Sequence, residues 1–179
     1  LFLNKTQLSI NGSTINITSG NFSISTNNLT LTNSTLRVDD ITGPSVFNFT
    51  SSTVILQINA TWNSLYLSGS KLNLNSLNLS NEFTIRNSNL TVSSGNLVLN
   101  SDYNFTMYNS SINASDIIGP SVFNFTNSSV TLSSNNVRTW DKVYASNSTL
   151  RLVKLNSSVI TLFSGSVLTT LGANTSRLN

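Results

Sequence analysis

Eighteen asparagines in this chain open the triplet Asn-x-Ser/Thr with no proline between: Asn4, Asn11, Asn16, Asn21, Asn28, Asn33, Asn48, Asn59, Asn78, Asn89, Asn104, Asn109, Asn113, Asn124, Asn127, Asn147, Asn156 and Asn174. The chemistry such a triplet admits is attachment of an N-linked sugar to the side-chain amide, which marks a surface position of a secreted protein. Asn and Ser are also ordinary turn residues, and Asn can ladder inside a solenoid, so a background of triplets is expected. With 29 Asn, 33 Ser and 22 Thr among 179 residues, random placement gives about nine triplets, half the number found. Three pairs, Asn28 and Asn104, Asn33 and Asn109, Asn48 and Asn124, share a single offset along the chain.

Other chemistry has few residues to work with. There is no His and no Cys, which excludes a zinc or other soft-metal site and a disulfide scaffold. The acids are Asp39, Asp40, Glu82, Asp102, Asp116 and Asp141. Asp40 and Asp116 are equivalents in a repeat and fall too far apart for the ~5–10 Å of paired glycosidase carboxylates. Each precedes a Gly-Pro step and reads as a turn-capping aspartate. Asp39 and Asp40 supply some of the oxygens a calcium ion needs, but the glycine-rich aspartate nonapeptide is missing. Gly12, Gly20, Gly69, Gly95 and Gly165 occupy Ser/Asn-Gly corners with no phosphate-loop pattern. The net charge is +3, and apart from Arg138, Lys142, Arg151 and Lys154 the basic residues are scattered, unlike the stripe of a nucleic-acid binder. No run approaches the 18 apolar residues of a membrane span, and no signal segment is recognisable. Leu1 reads as a processed N-terminus or as a point within a longer chain. The expectation is a protein that is no enzyme, needs no cofactor beyond covalent N-linked glycans, inserts in no membrane and binds no nucleic acid.

The elements that position the acceptors follow from repeats. "DITGPSVFNFT" from Asp40 returns as "DIIGPSVFNFT" from Asp116, ten of eleven residues alike. The likeness extends without a gap from Asn27 against Tyr103. After a two-residue insertion it resumes with "WNSLYLSGSKLNL" from Trp62 against "WDKVYASNSTLRL" from Trp140. The chain is therefore one domain, 1–179, holding an internal duplication, 27–99 and 103–179. Within it runs a shorter unit, a small polar corner followed by apolar-x-apolar, as in "GSTINI", "NSTLRV", "SGNLVL" and "NSSVTL". Alternation of period two, interrupted every few residues by Ser, Asn or Gly, predicts short strands and rejects a helical heptad. Strands this short suit an all-β fold, a parallel β-helix (β-solenoid). Grouping them in threes gives coils beginning at Leu29, Val54, Leu79, Phe105, Val130 and Leu155, hence about seven coils of roughly 25 residues, with the long repeat spanning three. Phe47, Phe49, Phe123 and Phe125 are expected inward, and Asn48 and Asn124 outward. Gly43-Pro44 and Gly119-Pro120 are expected to form rigid turns.

This architecture resembles the pectin-lyase-like superfamily of right-handed β-helices, a likeness of fold that implies no activity. On a smooth cylinder of that size each acceptor commands roughly 160 Å², so glycans would sheathe the protein. In this the chain resembles heavily N-glycosylated surface-filament, stalk or sheath proteins of archaea and microbial eukaryotes. That resemblance implies a structural, extracellular or cell-surface rod whose partners are copies of itself, stacked head to tail through open strand edges. Two other readings stand beside it. A polysaccharide-binding or polysaccharide-processing β-helix would use aromatics such as Trp62, Tyr66, Trp140 and Tyr144. An ice-binding solenoid would need ranks of Thr-x-Thr, of which Thr30-Leu31-Thr32 is one.

Overall fold

The computed structural model describes residues 7–100 and 104–179, and over these the chain is a parallel β-solenoid. Every strand pair is parallel, and no helix occurs among the described residues. The wall has three faces. The first stacks ten strands, from Gln7–Asn11 to Gly172–Leu178, and the second stacks nine, from Thr14–Asn16 to Val167–Thr169. The third carries three- and four-residue strands such as Asn21–Ser23, Asp40–Thr42 and Asn59–Trp62. Farther along, it merges into the first face through the long strands Val137–Ser146 and Lys154–Leu162.

The coil is shorter than the spacing of strong apolar units predicts. Leu29, Phe47, Leu65 and Phe83 are successive partners across the first face. Their interval in sequence is 18, the same that separates the neighbouring corner residues Ser34, Ser52 and Ser70. Longer and shorter coils occur elsewhere on that face, and together they make nine turns instead of the seven larger coils expected. The physical reason is the third face. Asp40–Thr42 is a full side of a coil that contributes only one inward apolar residue, Ile41, so a count of strong units in threes runs past the end of each turn. The long repeat accordingly spans four turns, not three. Phe47 meets Leu65 and Leu65 meets Phe83; the next and longest coil sets Ile85 against Met107, and Phe105 then meets Phe123.

Side-chain alternation fills the interior. Leu, Ile, Val and Phe from all three faces form one continuous core, with Phe47, Phe49, Phe123 and Phe125 fully enclosed as expected. Trp62 stacks on Phe47 with ring centroids 3.9 Å apart, and Trp140 stacks on Phe123 at 4.0 Å, so both halves of the repeat carry the same aromatic knot.

The corner between the first and second faces shows a feature that apolar periodicity does not reveal. Its first residue takes positive φ in every coil: Gly12, Asn33, Ser51, Gly69, Asn87, Asn109, Asn127, Asn147 and Gly165. Glycine and asparagine dominate because they tolerate the left-handed region. The following residue is serine all nine times, from Ser13 to Ser166. Backbone N–H groups in this column donate to the serine Oγ one coil ahead, as Ser70 does to Ser88 at 3.0 Å and Ser88 does to Ser110 at 3.1 Å. Ser88 Oγ in turn donates to the Arg86 carbonyl at 2.6 Å. The hydroxyls thus satisfy backbone amides where the chain turns away from its strand ladder. Ser88→Ala strands the buried Ser70 N–H, and unfolding in denaturant should register a loss of about 1–3 kcal/mol. Unchanged stability would show that the column is decorative.

Candidate functional site

All seventeen described acceptor asparagines lie outside the core. Fourteen are exposed, while Asn28, Asn48 and Asn124 are half-buried; Asn4 falls outside the described residues. Of the eleven asparagines that open no such triplet, five are half-buried. Acceptor positions are thus biased towards the open surface beyond what asparagine shows in this fold generally. They occur on every side: Asn28, Asn48 and Asn124 on the first face, Asn16, Asn89 and Asn113 on the second, Asn21, Asn59 and Asn78 on the third. The outward position of Asn48 and Asn124 follows from strand alternation, since each sits between two inward phenylalanines.

Four acceptors have a second, structural reason to exist. At Asn33, Asn109, Asn127 and Asn147 the corner itself asks for a left-handed-tolerant residue followed by the ladder serine. Only Thr35, Ser111, Ser129 and Thr149 then remain to complete the triplet. Asn109 Nδ2 donates to Asn87 Oδ1 at 2.8 Å and Asn147 Nδ2 donates to Asn127 Oδ1 at 2.9 Å. An amide nitrogen carries two hydrogens, so a sugar there leaves one N–H for the ladder. Asn11, at the end of its strand, also borrows the corner, since Gly12 and the ladder serine Ser13 complete its triplet; the other strand acceptors owe nothing to it.

The folded chain exposes 8901 Å². Shared among the acceptors, that surface gives each about three times the area of the smooth-cylinder expectation, because side-chain relief and the two ends add to it.

The acids have separate occupations. Asp39 Oδ2 accepts from the Gly20 N–H at 2.7 Å, tying two coils together. Glu82 accepts from the Tyr66 hydroxyl; that bond, with burial and the carboxylate charge, raises the phenol above its ordinary pKa. Asp40 starts a third-face strand opposite Asn21, and Asp102 lies outside the described residues. Asp116 departs from its expected turn-capping part: it is buried and forms an ion pair with buried Arg138 from the next coil. Burial raises the Asp116 pKa, opposed by the positive charge of Arg138. Burial lowers that of Arg138, opposed by Asp116. One of the four clustered basic residues is therefore internal. Asp40 and Asp116 stand four turns apart, ~19 Å at the strand spacing, well beyond the reach of a catalytic pair.

Among the aromatics available to a polysaccharide, Trp62 and Trp140 are buried in the core, whereas Tyr66 and Tyr144 face outward on the first face. Outward ranks on that face mix types: Thr30 is followed one coil on by Asn48 and then by Tyr66, which is not a regular threonine array. Comparison with protein-family models, curated proteins and solved structures yields no match for this chain. The parallel β-solenoid is the level at which its kinship of form is established.

Proposed function

We propose that this chain is a structural extracellular glycoprotein, a densely N-glycosylated rod that forms part of a surface appendage or coat. The observation that carries the reading is the exposure of the acceptors, fourteen of the seventeen described against six of the eleven other asparagines. The solenoid suits the task mechanically. Each coil contacts only its neighbours, so length is added without changing cross-section, and outward side chains are free to carry modifications while the core repeats. In this reading the chain is no enzyme, binds no cofactor apart from its covalent glycans, and is secreted.

The same reading has copies joined head to tail, or coils continuing along a longer chain. Leu171, 88% exposed, and Leu178, 65% exposed, leave apolar surface in the last described coil. Open strand edges template further strands, and a heterologous contact of this kind propagates without closing.

Intact-mass spectrometry of the secreted protein before and after deglycosylation, with glycopeptide mapping, tests the proposal. At least half of the acceptors should carry sugar, and Asn48 and Asn124 should behave alike because their surroundings repeat. Electron microscopy of the same material should show rods longer than one chain. Bare asparagine at most positions would leave a polar solenoid with no sheath.

A further inference from the structure

On the first face the register between neighbouring strands, among the described residues, runs for four or more residues everywhere except at one step. Between Phe83–Arg86 and Phe105–Tyr108 the pairing is confined to Ile85 with Met107 and Arg86 with Tyr108. Phe83 and Phe105 still stack, ring centroids 5.5 Å apart, but their backbones are not paired. This is also the step spanned by the longest coil of the face. The sheet opens here into a cleft of about 440 Å³ lined by Phe83, Thr84, Arg86, Asn104, Thr106 and Tyr108, within the size range of small-ligand sites.

We propose that this cleft is the seat of the N-linked glycan attached to Asn104, so that the first sugars at this position pack against the protein instead of extending into solvent. The inference rests on the reading that the acceptors carry sugar. Asn104 is itself part of the lining and is exposed, so the saccharide is delivered to the cleft by its own attachment point. The chemistry of the walls matches. Tyr108, 48% exposed, offers a ring face for the C–H side of a pyranose. The Arg86 guanidinium offers donors to ring and hydroxyl oxygens, and the Thr84 and Thr106 hydroxyls can donate or accept. A tethered ligand has a high local concentration, so weak contacts suffice. The chain carries its own control. Asn28 is the repeat equivalent of Asn104, and it lies in a strand whose ladder is unbroken along five residues on both sides, Gln7 to Asn11 and Val46 to Thr50.

The experiment uses the full chain secreted from a eukaryotic host that installs N-linked glycans. Glycopeptide mapping first records occupancy, and a time course of endoglycosidase digestion under native conditions then reads release at Asn104 and at Asn28. Release at Asn104 should be slower by about tenfold, the factor that roughly 1.4 kcal/mol of contact produces. Tyr108→Ala and, independently, the surface variant Arg86→Ala should each recover most of the difference without altering release at Asn28. Equal rates at the two positions would overturn the proposal while leaving the glycan sheath intact. So would an unmodified Asn104 among occupied neighbours, or slow release that both variants leave untouched. Absence of sugar from every acceptor would remove both readings together.

Discussion

Gly119→Ala should abolish the folded state at ordinary growth temperatures or lower Tm by more than about 10 °C, and Gly43→Ala should do the same. Gly119 has φ of 122° and Gly43 has φ of 112°, in the region that side chains rarely adopt. Strain of that kind costs about 1–3 kcal/mol, but the larger effect is contact. A Cβ on Gly119 would fall on the carbonyl oxygen of Leu99 in the preceding coil and lie 2.8 Å from its carbon; on Gly43 it would meet Ile24 in the same way, 2.9 Å from the carbon. Neither carbonyl is free to retreat. The Leu99 N–H donates to Ile118 at 2.8 Å and the Ile24 N–H to Thr42 at 2.9 Å, so both residues are fixed in the third-face ladder. A total loss of about 4 kcal/mol or more is expected, and at roughly 2–4 °C per kcal/mol for a domain of this size the melting shift follows. Gly12→Ala separates strain from contact. Its φ is 59°, with nothing within 4 Å of the added carbon, so it should cost only about 1–2 kcal/mol. Thermal melts of the three variants that gave equal shifts would refute the contact argument.

Those two glycines explain why the Gly-Pro motif is the best-kept stretch of the repeat. The motif is legible in sequence as a turn, and Pro44 and Pro120 are buried as that turn requires. What sequence reading does not supply is the neighbour, a carbonyl one coil away. Much of the fold was legible for a simpler reason. Inward and outward positions alternate so regularly that Leu, Ile, Val and Phe announce the strands of the first two faces, with Gly172–Leu178 the exception. The third face announces itself weakly. Asn21–Ser23 shows itself only through Phe22, and Asp40–Thr42 presents a single inward apolar residue, Ile41, which a reading keyed to apolar pairs passes over. The miscounted coil follows directly.

The acceptor triplets are local in sequence, and their outward placement follows once strands are assigned, so the candidate site was legible as far as positions go. The serine column was written just as openly, as Gly, Asn or Ser followed by Ser at each corner. In a chain with 33 serines such pairs look like composition until a coil of the right length brings them into line. The splayed step beside Asn104 has no sequence signature other than a longer spacing. The Asp116–Arg138 pair has none, because its members lie in different coils and meet only through the turn of the solenoid.

That pair should dominate the pH dependence of stability. Arg138→Met keeps most of the side-chain volume but leaves Asp116 buried without its cation, and breaking one partner of a buried pair costs about 3–5 kcal/mol at neutral pH. The sign with pH follows from the direction of the shift. Burial already holds the Asp116 pKa above its ordinary value of 3.8 and Arg138 opposes that rise, so removing Arg138 drives it higher. For an acid whose folded pKa exceeds the unfolded one, the folded state binds the proton more tightly. Stability is then greatest below the unfolded pKa and is lost as pH rises through the folded one. The deficit of Arg138→Met should therefore grow as pH rises above the unfolded pKa and shrink as pH falls towards 4. Asp116→Asn in the same background should remove most of the deficit, because a neutral amide has no charge to desolvate. The repeat provides a precedent within the chain. Ala60 occupies the place of Arg138 in the first half, and there the equivalent Asp40 is only half-buried and not enclosed. Denaturant titrations of the single and double variants between pH 4 and 8 measure each of these quantities. A deficit independent of pH would mean that the guanidinium contributes packing alone.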